Sequence, residues 1–204
     1  MLADALAKLG PAPFLTHYDS DSRIELSGVT FANWVAKTAN LFEDLGGDPD
    51  EPISLGLAET HPGHWVTIVW TAAAWLAGTE VIPGVAPDAA FAVVGPGDDR
   101  RGVESVACSL HPLGRGFETP PAEATDYFDV FAQPDAAFPA DEDRAPLDVL
   151  PRSDRKLFVN PAWSPEFVAD VLLAPMLGGG SSVVAVGLDE AAVERIRETE
   201  RVTA

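Results

Sequence analysis

Apolar residues along residues 29–45 recur at the spacing of one helical face: Phe31, Trp34, Val35, Leu41, Phe42 and Leu45. Thr30 stands where an N-cap belongs, Gly46 and Gly47 stop the run, and Asp48-Pro49 turns the chain. The next segment, "PISLGLA" (residues 52–58), has the look of a short buried strand. Residues 61–78 are rich in alanine and apolar nearly all round, which predicts a helix buried on most of its faces. "TEVIPG" then reads as another strand. Strand, buried helix, strand at this spacing points to parallel strands joined by helical crossovers.

The alternation continues with "AAFAVVG" (residues 89–95) and "ESVACSLH" (residues 104–111), two strands separated by the polar loop "PGDDRRG". Over residues 112–155 the pattern fades into a stretch rich in Pro, Asp and Glu, read as an irregular surface excursion with one short helical candidate, "TDYFDVFAQ". Order returns with the strand "KLFVNP" and the helix "SPEFVADVLLAPMLGG". There Ser164 is the expected N-cap, Pro165 takes the first helical position, and Glu166 suits the positive end. Pro175 is expected to kink or end that helix. "SSVVAVG" is a strand, and residues 189–200 form a solvent-facing amphipathic helix. The pattern as a whole predicts a single α/β domain over residues 1–204: a mainly parallel sheet with helices on both faces, in three layers.

Composition narrows the function classes. With 13 Lys+Arg against 32 Asp+Glu the formal net charge is −19 over 204 residues. Such a surface repels nucleic-acid phosphates and anionic lipid headgroups, so neither nucleic acid nor a membrane is an expected partner. The opening "MLADALAKLG" lacks the basic start and apolar core of a secretory signal. The most apolar run, residues 65–78, falls short of the ~20 residues a bilayer span requires. A soluble cytoplasmic protein is the expectation. One cysteine, Cys108, excludes an internal disulfide framework and a cysteine-based zinc site.

The glycine-rich stretch "LLAPMLGGGSSVVAVG" (residues 172–187) invites comparison with a phosphate-cradling loop. Such loops lie between a strand and a helix N-terminus. Here Gly178, Gly179 and Gly180 follow a helix and precede a strand, and no lysine follows at the spacing G-x-x-x-x-G-K-[ST]. They read as a helix C-cap and a tight corner. In "VVGPGDDRRG", Gly95 and Gly97 match the first two positions of G-x-G-x-x-G, but Arg100 occupies the third, and Asp98 and Asp99 would face any phosphate; a polar turn is the expectation.

Other chemistry is sparse. His61 and His64 in "HPGH" offer a two-ligand spacing without an identifiable third ligand, so no metal is assigned. Cys108, inside an apolar strand, reads as a small buried hydrophobe. The acidic "DEDR" of residues 141–144 reads as a solvated loop. More informative is "SLHPLGRGF", just past a strand's C-terminal end, where open α/β sheets place ligands. There His111, Gly114 and Arg115 are candidate ligand-binding residues, Arg115 able to approach an anion bidentately. A loop packed by Pro112 and Leu113 is the alternative.

The segment "ELSGVTFANWVAKTANLFEDLGGDPDEPISLGLAETHPGHWVTIVWTAAAWLAGTEVIPG" resembles the N-terminal part of the AMP-binding adenylate-forming enzymes, the acyl-CoA synthetase superfamily. It keeps the order of a "T-x-x-x-L" helix, a "G-x-x-x-G-D" turn, a strand, and a helix ending in "aGa-x-x-x-P", with Gly78 and Pro83 at the last positions. "LLAPMLGGGSSVVAVG" is similar to that family's "pLl-Gg-x-vVl", and "ERVTA" to its "ekVT". "SLHPLGRGF" and "TDYFDVFAQPDAAF" resemble shortened members of the superfamily. The resemblance implies the fold of the family's N-terminal subdomain.

In the family, adenylation relies on a loop close to "SGTTGxPK" that wraps the ATP phosphates. At the corresponding place, before the Ser164 helix, this chain has "PRSDRKLFVNPAW", without glycines. The "YGxTE"-like segment, the "TGD" ribose aspartate and the lysine-bearing C-terminal domain have no counterparts within residues 1–204. Only three lysines are present, Lys8, Lys37 and Lys156, to neutralise charge at an α-phosphate. No catalytic residue and no cofactor is therefore carried over. The expectation is a non-catalytic homologue that binds a small acyl or nucleotide-like ligand or a protein partner. The alternatives are an assembly subunit, a homodimer or hetero-complex acting through an exposed apolar face, and a small-molecule enzyme using the His111/Arg115 loop.

Overall fold

The computed structural model describes residues 2–119, 121–137, 140, 144–146 and 148–202. In chain order, α1 (Leu2–Ala7) leads into a hairpin of β1 (Pro13–Tyr18) and β2 (Arg23–Ser27), followed by α2 (Gly28–Asp44). Next come β3 (Ile53–Leu55), α3 (Leu57–Thr60), α4 (Trp65–Leu76), β4 (Val81–Pro83), β5 (Phe91–Val94) and β6 (Glu104–Ala107). After β7 (Thr125–Asp126) and a 3₁₀ turn, Tyr127–Ala132, the chain forms β8 (Arg155–Val159), α5 (Pro165–Gly178), β9 (Ser181–Ala185) and α6 (Glu190–Glu200).

The α/β expectation holds, with the strands shared between two sheets. One has five strands in the order β4-β3-β5-β6-β7, all parallel. The other has four, in the order β2-β1-β9-β8; β1 pairs antiparallel with β2 and parallel with β9, which pairs parallel with β8. One apolar cluster takes in Leu15 and Val184 of the four-stranded sheet together with Ile53, Leu55 and Val93 of the five-stranded one.

All twelve residues of α4 are buried, as its all-round apolar sequence requires. Trp65 meets Trp34 of α2 edge-on at 5.0 Å, and Trp70 lies 6.1 Å from Phe91 of β5. Trp163, just before α5, donates its indole N–H to Thr71 Oγ1 at 3.1 Å, tying the segment after β8 to this central helix.

Several boundaries differ from the sequence reading. The cap of α2 is Ser27, whose hydroxyl accepts the Thr30 amide at 3.1 Å, so Thr30 lies in the first turn. The helix expected from His61 begins at Trp65, because Pro62 and Gly63 form a turn first. Pro175 does not end α5, which runs on to Gly178. A proline has no amide for the carbonyl four residues back, and that carbonyl, Val171's, instead accepts the Ser182 hydroxyl at 2.7 Å.

The three glycines make the expected corner. Gly179 caps α5 in the left-handed region at φ 79°. A Cβ on Gly178 would stand 2.4 Å from the Arg152 main chain, so only glycine lets that strand lead pass. "GPGDDRRG" is the expected polar turn, with the Asp98 carboxylate held by the Arg100 amide and guanidinium at 2.8 to 3.0 Å. Within the 112–155 excursion, Tyr127 buries its ring and shares a 2.6 Å hydrogen bond with Thr38 of α2. Asp141, Glu142 and Asp143 of the acidic run, and Thr203 and Ala204 of "ERVTA", lie outside the described residues. No helix among the described residues is long and apolar enough to cross a membrane.

Candidate functional site

A cleft of about 420 Å³ opens where β1, β8 and β9 end and where α3 turns into α4. These are carboxyl ends of parallel strands, the edge at which open α/β sheets place ligands. Three of the chain's four histidines, His17, His61 and His64, line it.

His17 is the fifth residue of β1 and is 1% exposed. Neither ring nitrogen makes a hydrogen bond of ordinary length, although the Gly63 carbonyl and the Asp19 carboxylate stand beside the ring. Its Nε2 is 3.5 Å from Asp19 Oδ2. Burial lowers its pKa, and Asp19 offsets this in part.

Asp19 starts the turn of the β1–β2 hairpin. Its Oδ1 accepts the amides of Asp21 at 2.8 Å and Ser22 at 2.6 Å, and its Oδ2 accepts the Ser22 hydroxyl at 2.9 Å. Burial alone would raise its pKa; these donors and His17 outweigh that and keep it below the usual value, hence ionised.

His64 is the N-cap of α4, its Nδ1 accepting the Val66 amide at 3.2 Å. Its ring meets that of His17 at an interplanar angle of 64°. Burial, with the neighbouring His17 and His61, pushes its pKa down to about 3. His61 hydrogen-bonds Thr60 Oγ1 at 2.9 Å and is also lowered by burial. All three rings are therefore neutral at pH 7.

The opposite wall is Asn160, Pro161, Val186 and Gly187. Asn160 sits in the left-handed region at φ 44°; its amide bonds the Ala185 carbonyl and its Oδ1 accepts the Gly187 amide, both at 2.8 Å. That fastens β8 to β9 at the rim. Gly63 forms the floor: a Cβ there would lie 2.7 Å from Val186 Cγ1 and 3.0 Å from Pro161 Cγ.

Among the described residues the lining has no lysine or arginine, and its only ionised group is Asp19. Lys37 and Lys156 are paired elsewhere, with Asp135 at 3.1 Å and Asp170 at 2.5 Å. Such a cleft suits an apolar or weakly polar group better than a polyphosphate.

The residues singled out in the 109–117 loop lie apart from this cleft. His111 Nδ1 accepts the Leu113 amide at 3.1 Å, Gly114 turns at φ 66°, and the Ser109 hydroxyl bonds the Arg115 carbonyl. The hollow beside them encloses about 10 Å³, and the Arg115 side chain is exposed. Cys108 is fully buried and its thiol pKa is pushed up, as in an unreactive core cysteine. Of the "HPGH" pair, His64 acquires in His17 and Asp19 the neighbours that spacing alone did not reveal. The short β-prone run "PFLTHY" followed by the turn-forming "DSDS" is the signal that could have found them.

No family model matches the chain. Over 99% of its length it is 28% identical to the TIGR03089 family protein of Mycobacterium tuberculosis, covering 95% of that protein. Among solved structures it is similar to the acyl-CoA synthetase of Brucella canis, with a TM-score of 0.72 and 14% identity over 99% of this chain and 46% of that one. It is also similar to the acetoacetyl-CoA synthetase of Streptomyces lividans (TM-score 0.68, 14% identity, 99% and 41% covered). The amide bond synthetase McbA of Marinactinospora thermotolerans is a third such structure (TM-score 0.66, 13% identity, 99% and 47% covered). The chain thus spans less than half the length of these enzymes. With 99% of its length matched at such low identity, the chain shares with these enzymes a fold, that of the N-terminal domain of the adenylate-forming enzymes.

Proposed function

We propose that this chain is a non-catalytic relative of the adenylate-forming enzymes that acts by binding, holding a small acyl or nucleotide-like ligand in the cleft at His17, His61, His64 and Asn160. The observation that carries this reading is the cleft itself: about 420 Å³ at the carboxyl ends of the strands, walled by Pro161 and Val186 and edged by hydrogen-bonding imidazoles. Two features support binding without adenylation. The segment before α5 has none of the glycines that wrap triphosphate in the family it resembles, and the lining brings no cation to neutralise an α-phosphate. The test is pyrophosphate release from ATP and magnesium with a panel of carboxylates. Release at the buffer-blank rate is expected, and turnover above it overturns the reading.

A second reading, assembly with another protein or a second copy, is supported by an exposed aromatic pair. The rings of Phe128 and Phe131 lie 5.2 Å apart, tilted by 54°, while 49% and 47% exposed, with exposed Leu113 on the neighbouring loop. Light scattering tests it: a strict monomer at high concentration removes self-association.

A further inference from the structure

The cleft holds a second kind of chemistry, independent of which organic ligand it takes. We infer that His17, Asp19 and His64 form a three-ligand site for a divalent transition-metal ion of the zinc class, with a fourth coordination position open to the cleft.

One ligand atom from each residue lies within 4.8 Å of the other two. Two imidazoles and one carboxylate are a donor set for zinc, cobalt or nickel, and a poor one for magnesium or calcium, which prefer all-oxygen shells. With metal–ligand bonds of about 2.0–2.2 Å, two ligands on a tetrahedral centre stand roughly 3.4 Å apart. His17 Nε2 and Asp19 Oδ2 already stand at 3.5 Å, too far for an ordinary hydrogen bond. The remaining separations, up to 4.8 Å, must close by up to about 1.4 Å on binding.

His17 is the buried centre of the cluster. Its ring is 1% exposed, and its nitrogens have only long contacts, to the Asp19 carboxylate and the Gly63 carbonyl, where a buried imidazole ordinarily makes full hydrogen bonds. One of those nitrogens faces a carboxylate that the hairpin turn holds in place through three donors. The ion would also supply the positive charge that the lining otherwise lacks.

His64 enters the site at the expense of its cap. Its Nδ1 now accepts the Val66 amide. If the ion binds Nδ1, that lone pair is taken; if it binds Nε2, the ring proton moves to Nδ1. Either way the bond to Val66 is lost, and metal binding should expose the Val66 amide to solvent exchange.

The test uses the full chain, stripped with chelator and titrated with Co²⁺ and then with Zn²⁺ in competition, alongside His17→Gln, Asp19→Asn and His64→Asn. Asn at 19 keeps the turn and Asn at 64 keeps a cap, so each variant separates ligation from folding, which near-ultraviolet circular dichroism checks. The expected result is one Co²⁺ per chain with visible bands of a four-coordinate N/O site, displaced by Zn²⁺. Faster Val66 amide exchange should accompany it. Each substitution should weaken affinity by at least the roughly 10-fold that loss of a group supporting a ligand brings. Absence of one-to-one binding overturns the inference. So does zinc binding of equal affinity in all three variants, which would place the ion on the acidic surface. Neither outcome bears on whether the cleft takes an acyl or nucleotide-like molecule.

Discussion

The rings of His17 and His64 meet edge to face with their centroids 4.8 Å apart. One comes from the four-stranded sheet and the other from the cap of α4, the long helix between β3 and β4 of the five-stranded sheet. This contact is where the two sheets close on the cleft, so the cleft depends on how they meet as well as on the residues that line it.

Gly63 is the most direct probe of that closure. Gly63→Ala puts a methyl 2.7 Å from Val186 Cγ1 and 3.0 Å from Pro161 Cγ, and both neighbours are tied to the fastened ends of β8 and β9. The expected cost is about 1–3 kcal/mol of stability, as for other overpacked sites. Thermal unfolding of the variant beside the parent checks it, and an unchanged melting temperature would show that the wall can move.

The corner after α5 separates two reasons for glycine. Gly179 has open space around it but a φ of 79°, so Gly179→Ala should cost only about 1 kcal/mol of conformational strain. Gly178 has an ordinary φ, but a Cβ would lie 2.4 Å from the Arg152 backbone, which cannot rotate away. Gly178→Ala should therefore be the more harmful, by at least about 1 kcal/mol. Denaturant unfolding of the two variants gives the order.

A third expectation concerns acid. Glu200, at the C-terminal end of α6 where the helix dipole disfavours an anion, has a side chain 7% exposed and accepts Arg155 at 2.5 Å and Arg23 at 2.9 Å, with the Tyr18 hydroxyl bonded to it as well. Burial pushes its pKa up, but Tyr18 and the two guanidiniums outweigh this and hold it below the ordinary 4.5. A depressed carboxyl pKa contributes stability that is complete above the unfolded value and is lost as pH falls through the folded one. Glu200→Gln should thus cost about 2 kcal/mol at pH 7, with the gap to the parent narrowing below pH 4.5. Urea melts at several pH values would show this; a gap independent of pH would mean that the contact is not ionic.

Much of the fold was legible from pattern. The strand–helix–strand order of residues 52–83, the all-apolar α4, the Ser164 cap and the glycine corner follow from periodicity and capping chemistry that act within a few residues. The hairpin β1–β2 escaped because "PFLTHY" shows little alternation: four of its six residues are buried, since β1 is an inner strand covered on both faces. The division into two sheets was hidden for a related reason, as β9 pairs with β1 across most of the chain. The cleft shared that fate. His61 and His64 were visible as a pair, but His17 and Asp19 reach them only through that long-range pairing. The 109–117 loop drew notice through local glycine and arginine chemistry, and its His111 holds the turn's own Leu113 amide.

The measurement closest to the central claim is a calorimetric titration of the chain with ATP, AMP, coenzyme A and an acyl carboxylate such as octanoate, with and without magnesium. The account predicts saturable one-to-one binding of at least one of these, lost in Gly63→Val and His61→Leu and unchanged in Arg115→Ala. Silence with all four, or binding that survives both cleft substitutions, would contradict it.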